Sequence, residues 1–109
     1  MNVLITGGSR GIGAAAVRRF ARNGDRVWFL YENNTAAAEA VSAETGAVGL
    51  RCDVADEQQV NAAFSGLPAL DVLINNAGIA HYALINQITP EEWRQMFAVH
   101  VDGAFHCIR

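Results

Sequence analysis

At 109 residues, with 51% hydrophobic and 17% charged side chains, the chain has the composition of a globular domain, and disorder is excluded by so apolar a make-up. Eight basic and eleven acidic side chains leave a formal charge of −3, which argues against a nucleic-acid surface. No apolar run nears the roughly 20 residues that a membrane span takes, so a cytoplasmic protein of at most one domain is expected.

Asn2 to Thr6 reads as a short buried strand, because its apolar residues run on without alternating, as in a parallel sheet covered on both faces. Thr6-Gly7-Gly8-Ser9-Arg10-Gly11-Ile12-Gly13 then turns into a helix from Gly11 to about Asn23. Backbone N–H groups at a helix start lack intrahelical partners and sit at the positive end of the macrodipole, so this turn suits an anion, a diphosphate above all. Gly7 is expected at positive φ, Gly11 to let a ligand approach the backbone, and Gly13 to let the helix lie close to the sheet. Gly24 closes the helix, with Arg18, Arg19 and Arg22 near its negative end.

Val27 to Tyr31 gives a second strand, and Asn33-Asn34-Thr35 caps an alanine-rich helix that reaches about Glu44 and stops at Gly46. A third strand, Val48 to Cys52, leads into Asp53-Val54. Asp56 with Gln59 resembles a capping box for a helix to about Ser65, and Gly66 and Pro68 break the pattern before a fourth strand, Asp71 to Asn75. A loop through His81-Tyr82-Ala83-Leu84 follows. Then Thr89 caps, Pro90 takes the first helical position and Glu92 closes the box of an amphipathic helix, continuous or broken near Gly103. Strands alternating with helices predict an α/β doubly wound parallel sheet, the Rossmann arrangement, carried here through about four strands and one further helix. Cys52 and Cys107 read as free thiols, and His81, His100 and His106 lack tight ligand spacing, so no metal is expected.

Three motifs thus stand in order: Thr6 to Gly13, Asp53-Val54 after the third strand, and Asn75-Asn76-Ala77-Gly78 after the fourth. With them, and with Glu91-Glu92-Trp93 and Val101-Asp102-Gly103-Ala104-Phe105, the chain resembles the amino-terminal half of a short-chain dehydrogenase/reductase, particularly the 3-oxoacyl-acyl-carrier-protein reductase-like branch. Residues 1–109 would then be the dinucleotide-binding half of a single-domain enzyme. The resemblance implies that Gly7, Ser9, Arg10, Gly11, Ile12 and Gly13 surround the diphosphate and adenosine ribose. Asp53 would accept from the adenine amino group, with the Val54 backbone beside it. Asn76, Ala77 and Gly78 would lie along the two riboses, while Asn75 stabilises the sheet.

Arg10 favours NADP, since a charge-assisted bond to a 2′-phosphate is worth about 1.5–3 kcal/mol. Glu32, which lies 19 residues beyond Gly13, is near the acidic position that accepts from a ribose 2′-hydroxyl and favours NAD. The family's own acidic position aligns with Tyr31, so NADP is expected, with NAD as the alternative. The family's relay asparagine aligns with His100, a titratable ring that can also move protons. Its catalytic serine and Tyr-x-x-x-Lys pair have no match here, because neither Tyr31 nor Tyr82 has a lysine four residues on. The function implied is hydride transfer between NADPH and a carbonyl of 3-oxoacyl type; the alternative is a non-catalytic dinucleotide-binding or assembly module. A homo-oligomer is expected through the 90–109 helix, whose stripe of Trp93, Phe97, Val101, Phe105 and Ile108 calls for a covering surface.

Overall fold

The computed structural model describes residues 1–78 and 87–108; the expected loop at His81 to Leu84, with Tyr82, lies outside them. Among the described residues four parallel strands form one sheet: β1 (Asn2–Thr6), β2 (Arg26–Tyr31), β3 (Val48–Arg51) and β4 (Val72–Ile74). Their order is β3-β2-β1-β4. Leu4 pairs with Trp28 on one side and Leu73 on the other, so β1 is central.

The two-residue period of a strand sends alternate side chains to opposite faces, and here both faces are apolar. Val3, Ile5, Val27 and Phe29 pack with Ala14 and Val17 of α1 (Gly11–Arg22) and with Ala38 and Val41 of α2 (Thr35–Thr45). Leu4 and Leu30 point the other way, onto Val60 of α3 (Glu57–Ser65) and onto Val99 and Cys107. Each fully buried Val, Leu or Phe contributes roughly 1.5–3 kcal/mol. The run-on apolar strands of the sequence are therefore what a sheet covered by helices on both sides requires.

The helix starts follow the expected chemistry. Asn34 Oδ1 accepts from the Ala37 N–H, Asp56 Oδ1 from the Gln58 and Gln59 N–H groups, and the Thr89 hydroxyl from the Glu92 N–H. The Asp56–Gln59 box is modified: the Gln59 Oε1 accepts from the N–H of Asp53, three residues ahead of the cap, and so fixes the turn after β3 as well as the helix. Beyond Thr89 the chain runs as α4 (Pro90–Phe97), a π-helical turn (Ala98–Asp102) and α5 (Gly103–Ile108). The helix is thus irregular just before Gly103, and the wider turn rotates α5 relative to α4.

Candidate dinucleotide-binding site

Chain order sends β2 and β3 to one side of β1 and β4 to the other. At such a reversal the connecting segments leave by opposite faces, and a crevice opens at the carboxyl ends of the strands. A cavity of about 420 Å³ lies there. Gly7, Ser9, Arg10, Gly11 and Ile12 line it from the first turn, Glu32 from the end of β2, Val54 from the turn after β3, and Asn76, Ala77 and Gly78 from the end of β4.

The turn does not offer all its N–H groups to this space. Those of Gly7 and Gly8 donate to the Leu30 carbonyl at 2.9 and 3.2 Å, stitching the turn to β2. The first helical bond runs from the Ala14 N–H to the Arg10 carbonyl, so the N–H groups of Gly11, Ile12 and Gly13 precede the ladder. Arg10 stands at the cap position, and its side chain, which carries donors only, makes no cap bond. Anion-binding capacity therefore resides in the first turn of α1 rather than in Gly7 and Gly8. Gly7 and Gly11 take φ of 69° and 58°, values that favour glycine.

Thr6 and Asn76 lock the two strand ends together. Thr6 is buried, and its hydroxyl accepts from the N–H groups of Asn76 and Ala77, both at 2.9 Å. The Asn76 side-chain amide donates to the Gly7 carbonyl at 3.3 Å. Stabilising the sheet end, expected of Asn75, falls instead to Asn76; Asn75 is exposed. Gly13 lies against the same knot. A Cβ there would stand 2.0 Å from the Gly7 carbonyl oxygen and 2.7 Å from Asn76 Nδ2, so its close approach is to the turn rather than to the sheet.

Three sequence-predicted residues do not line the large cavity. Gly13 backs it. Asp53 turns its carboxylate to the Ala55 N–H at 3.0 Å. His100 lies behind Gly78, where a Cβ would meet its Cε1 at 2.6 Å, and borders a separate space of about 20 Å³ shared with Thr6 and Asn75. Sequence reasoning missed the cavity walls formed by Leu30, Asn33, Asn34, Cys52 and Val99, and took Tyr31 only as the residue at the family's acidic position. Asn33 and Asn34 were legible only as helix-capping residues; their place just after a strand end at the reversal is the signal that marks them.

Electrostatics divide the cavity. Arg10 and Glu32 place opposite, exposed charges on its lining, and Arg51 Nε donates to the Glu32 carbonyl at 3.0 Å, holding the backbone beyond β2. Cys52 is an inert wall: burial above all, then the charges of Cys107, Asp53 and Asp56, push its thiol up to about 11. Burial raises Cys107 as well. A thiol raised in the fold favours folding below its unfolded value of 9.0, and that advantage is lost as pH climbs from about 9 to about 11. Among the described residues no group of three His, Cys, Asp or Glu side chains is placed to hold a metal, and no helix is long and apolar enough to cross a membrane.

The sequence matches the short chain dehydrogenase family over residues 1–109. It is 38% identical over 104 residues to the cyclic-di-GMP-binding biofilm dispersal mediator protein of Escherichia coli K12, covering 95% of this chain and 44% of that one. To acetoacetyl-CoA reductase of Paracoccus denitrificans it is 36% identical over 107 residues, covering 94% and 44%. The crystal structure of BdcA from E. coli in complex with NADPH superimposes with a TM-score of 0.93 at 37% identity, over 98% of this chain and 44% of that chain. The chain therefore spans less than half the length of these relatives. Matched along its whole length by the family, and sharing the fold of a solved relative, it belongs to the short-chain dehydrogenase family.

Proposed function

We propose that this chain is the cofactor-binding half of an NADP-dependent carbonyl reductase acting on a 3-oxoacyl thioester or similar ketone. The observation that carries the reading is the cavity at the strand-order reversal, with the first turn of α1 at one wall and a cap residue that cannot consume its donors. The N–H groups of Gly11, Ile12 and Gly13 would hold the diphosphate, with Ser9 beside them. Asp53, whose Oδ1 takes the Ala55 N–H, would accept from the adenine amino group through its other carboxylate oxygen, next to the Val54 backbone, and Asn76, Ala77 and Gly78 would border the riboses. His100, packed behind Gly78, would support the nicotinamide end. When bound, the nicotinamide supplies a hydride to the carbonyl carbon. The residues here would bind and orient, and neither Tyr31 nor Tyr82 has the lysine partner that a family proton donor needs, so the isolated 109-residue chain should reduce no ketone.

Arg10 gives the cofactor choice its test. Pairing with a 2′-phosphate is worth about 1.5–3 kcal/mol, so Arg10→Ala should cut the preference for NADPH over NADH by tenfold or more, about the factor that energy represents. Dissociation constants for both cofactors check this; an unchanged ratio, or tighter NADH binding in the wild type, counts against NADP and turns attention to Glu32 as a ribose acceptor.

The alternative, an assembly module, draws on the last helical segment. Trp93, Phe97, Val101, Phe105 and Ile108 recur along it and are each about half exposed or more, with Trp93 and Phe97 rings 5.1 Å apart. Such a stripe favours self-association, with or without catalysis. Sedimentation at high micromolar concentration should give a dimer or larger species, and a clean monomer would rule the stripe out as an interface.

A further inference from the structure

We infer that His106 is a positioning residue for the adenosine wall of the cavity, acting through Val54. The inference rests on the dinucleotide reading above and assigns a role to a residue that none of the three sequence motifs includes.

Val54 is buried and lines the cavity, yet it lies in a turn rather than in a strand, so no sheet ladder holds its carbonyl. From its own side the turn is fixed by Asp53, whose carboxylate takes the Ala55 N–H and whose N–H goes to Gln59. From the opposite side α5 fixes it twice. His106 Nδ1 lies 2.8 Å from the Val54 carbonyl oxygen. A carbonyl only accepts, so Nδ1 carries the hydrogen, in the neutral ring as in the charged one. Three residues earlier on the same helix, Gly103 is buried against the Val54 side chain, and a Cβ there would stand 2.6 Å from Val54 Cγ2. The hydrogen bond and the missing side chain together set how far Val54 stands from the helix, and hence where the cavity wall lies.

The test uses the complete gene product and two probes, NADPH and adenosine 2′,5′-bisphosphate, which contains only the adenosine end. His106→Leu keeps the bulk and removes the donor. It should weaken both probes by the same factor, roughly five- to twentyfold, the range expected when a part-buried carbonyl loses its partner. His106→Asn, whose amide nitrogen stands near the Nδ1 position, should restore both to within about twofold of wild type. Gly103→Ala pushes on the same wall from the other contact and should weaken both probes in parallel. A His106→Leu protein with affinities within about twofold of wild type, an Asn variant as weak as Leu, a Gly103→Ala protein that binds normally, or a loss confined to NADPH would each overturn the positioning role. If wild type binds neither probe, the dinucleotide reading itself falls, and this role with it.

Discussion

Gly13→Ala is expected to cost this protein about a hundredfold in NADPH affinity and about 2–4 kcal/mol in stability, near or above the upper end for overpacking. A Cβ at this position has no rotamer to escape through, and the atom it would meet at 2.0 Å is the backbone oxygen of Gly7. Gly7 cannot retreat cheaply, because its N–H is bonded to the Leu30 carbonyl and its φ is 69°. The second contact, Asn76 Nδ2 at 2.7 Å, is the amide that donates to that same oxygen. Relief must therefore come from lifting the first turn of α1 off the knot, which moves the Gly11 and Ile12 N–H groups out of line with a diphosphate. Thermal unfolding and an NADPH titration check the two effects. A variant that binds and melts like wild type would mean that the first turn is not positioned by this approach.

Thr6→Val should be nearly as severe, through a different cause. The substitution keeps the shape and removes one oxygen, leaving the N–H groups of Asn76 and Ala77 without their acceptor at the part-buried end of the sheet. Each unsatisfied donor costs about 1–3 kcal/mol, so a loss of about 2–5 kcal/mol is expected, or a fall in melting temperature on the order of 10–25 °C for a domain of this size. Thr6→Ser retains the hydroxyl and should recover most of it. Because the freed peptides also line the cavity, Thr6→Val should weaken dinucleotide binding even at temperatures where the protein is folded. A melting temperature within about 3 °C of wild type would show that water or a local shift satisfies both donors.

The fold was legible in this sequence because its signals are local and agree. Run-on apolar strands at β1 and β2, caps at Asn34, Asp56 and Thr89, and stops at Gly24 and Gly46 each follow from one or two neighbouring residues. The candidate site was legible only where a residue type has few uses. Glycines at Gly7, Gly11 and Gly13 announce a turn, but nothing local reveals that the Gly7 and Gly8 donors are spent on Leu30, since that carbonyl arrives from the next strand. That Asn76 rather than Asn75 ties the sheet end has the same origin: which of two adjacent asparagines points at Gly7 depends on where β4 ends, and it ends at Ile74, one residue before the expected Asn75. The role of His106 is not legible in the sequence, because its partner is 52 residues away and no spacing encodes such a contact. Of the two readings of the last helix, continuous or broken near Gly103, the structure has the irregular turn at Ala98–Asp102, just before Gly103, where the Val54 side chain packs in the place a Cβ would take.

The most direct test of the central claim is a calorimetric titration of NADPH into the complete gene product, run beside the Gly13→Ala variant. The account predicts saturable one-to-one binding in the micromolar range, a common range for such ligands, with the variant weaker by about two orders of magnitude. No saturable binding by the wild-type protein up to about 1 mM NADPH or NADH, roughly the upper end of ordinary cofactor and substrate affinities, would contradict the claim that this cavity holds a nicotinamide dinucleotide.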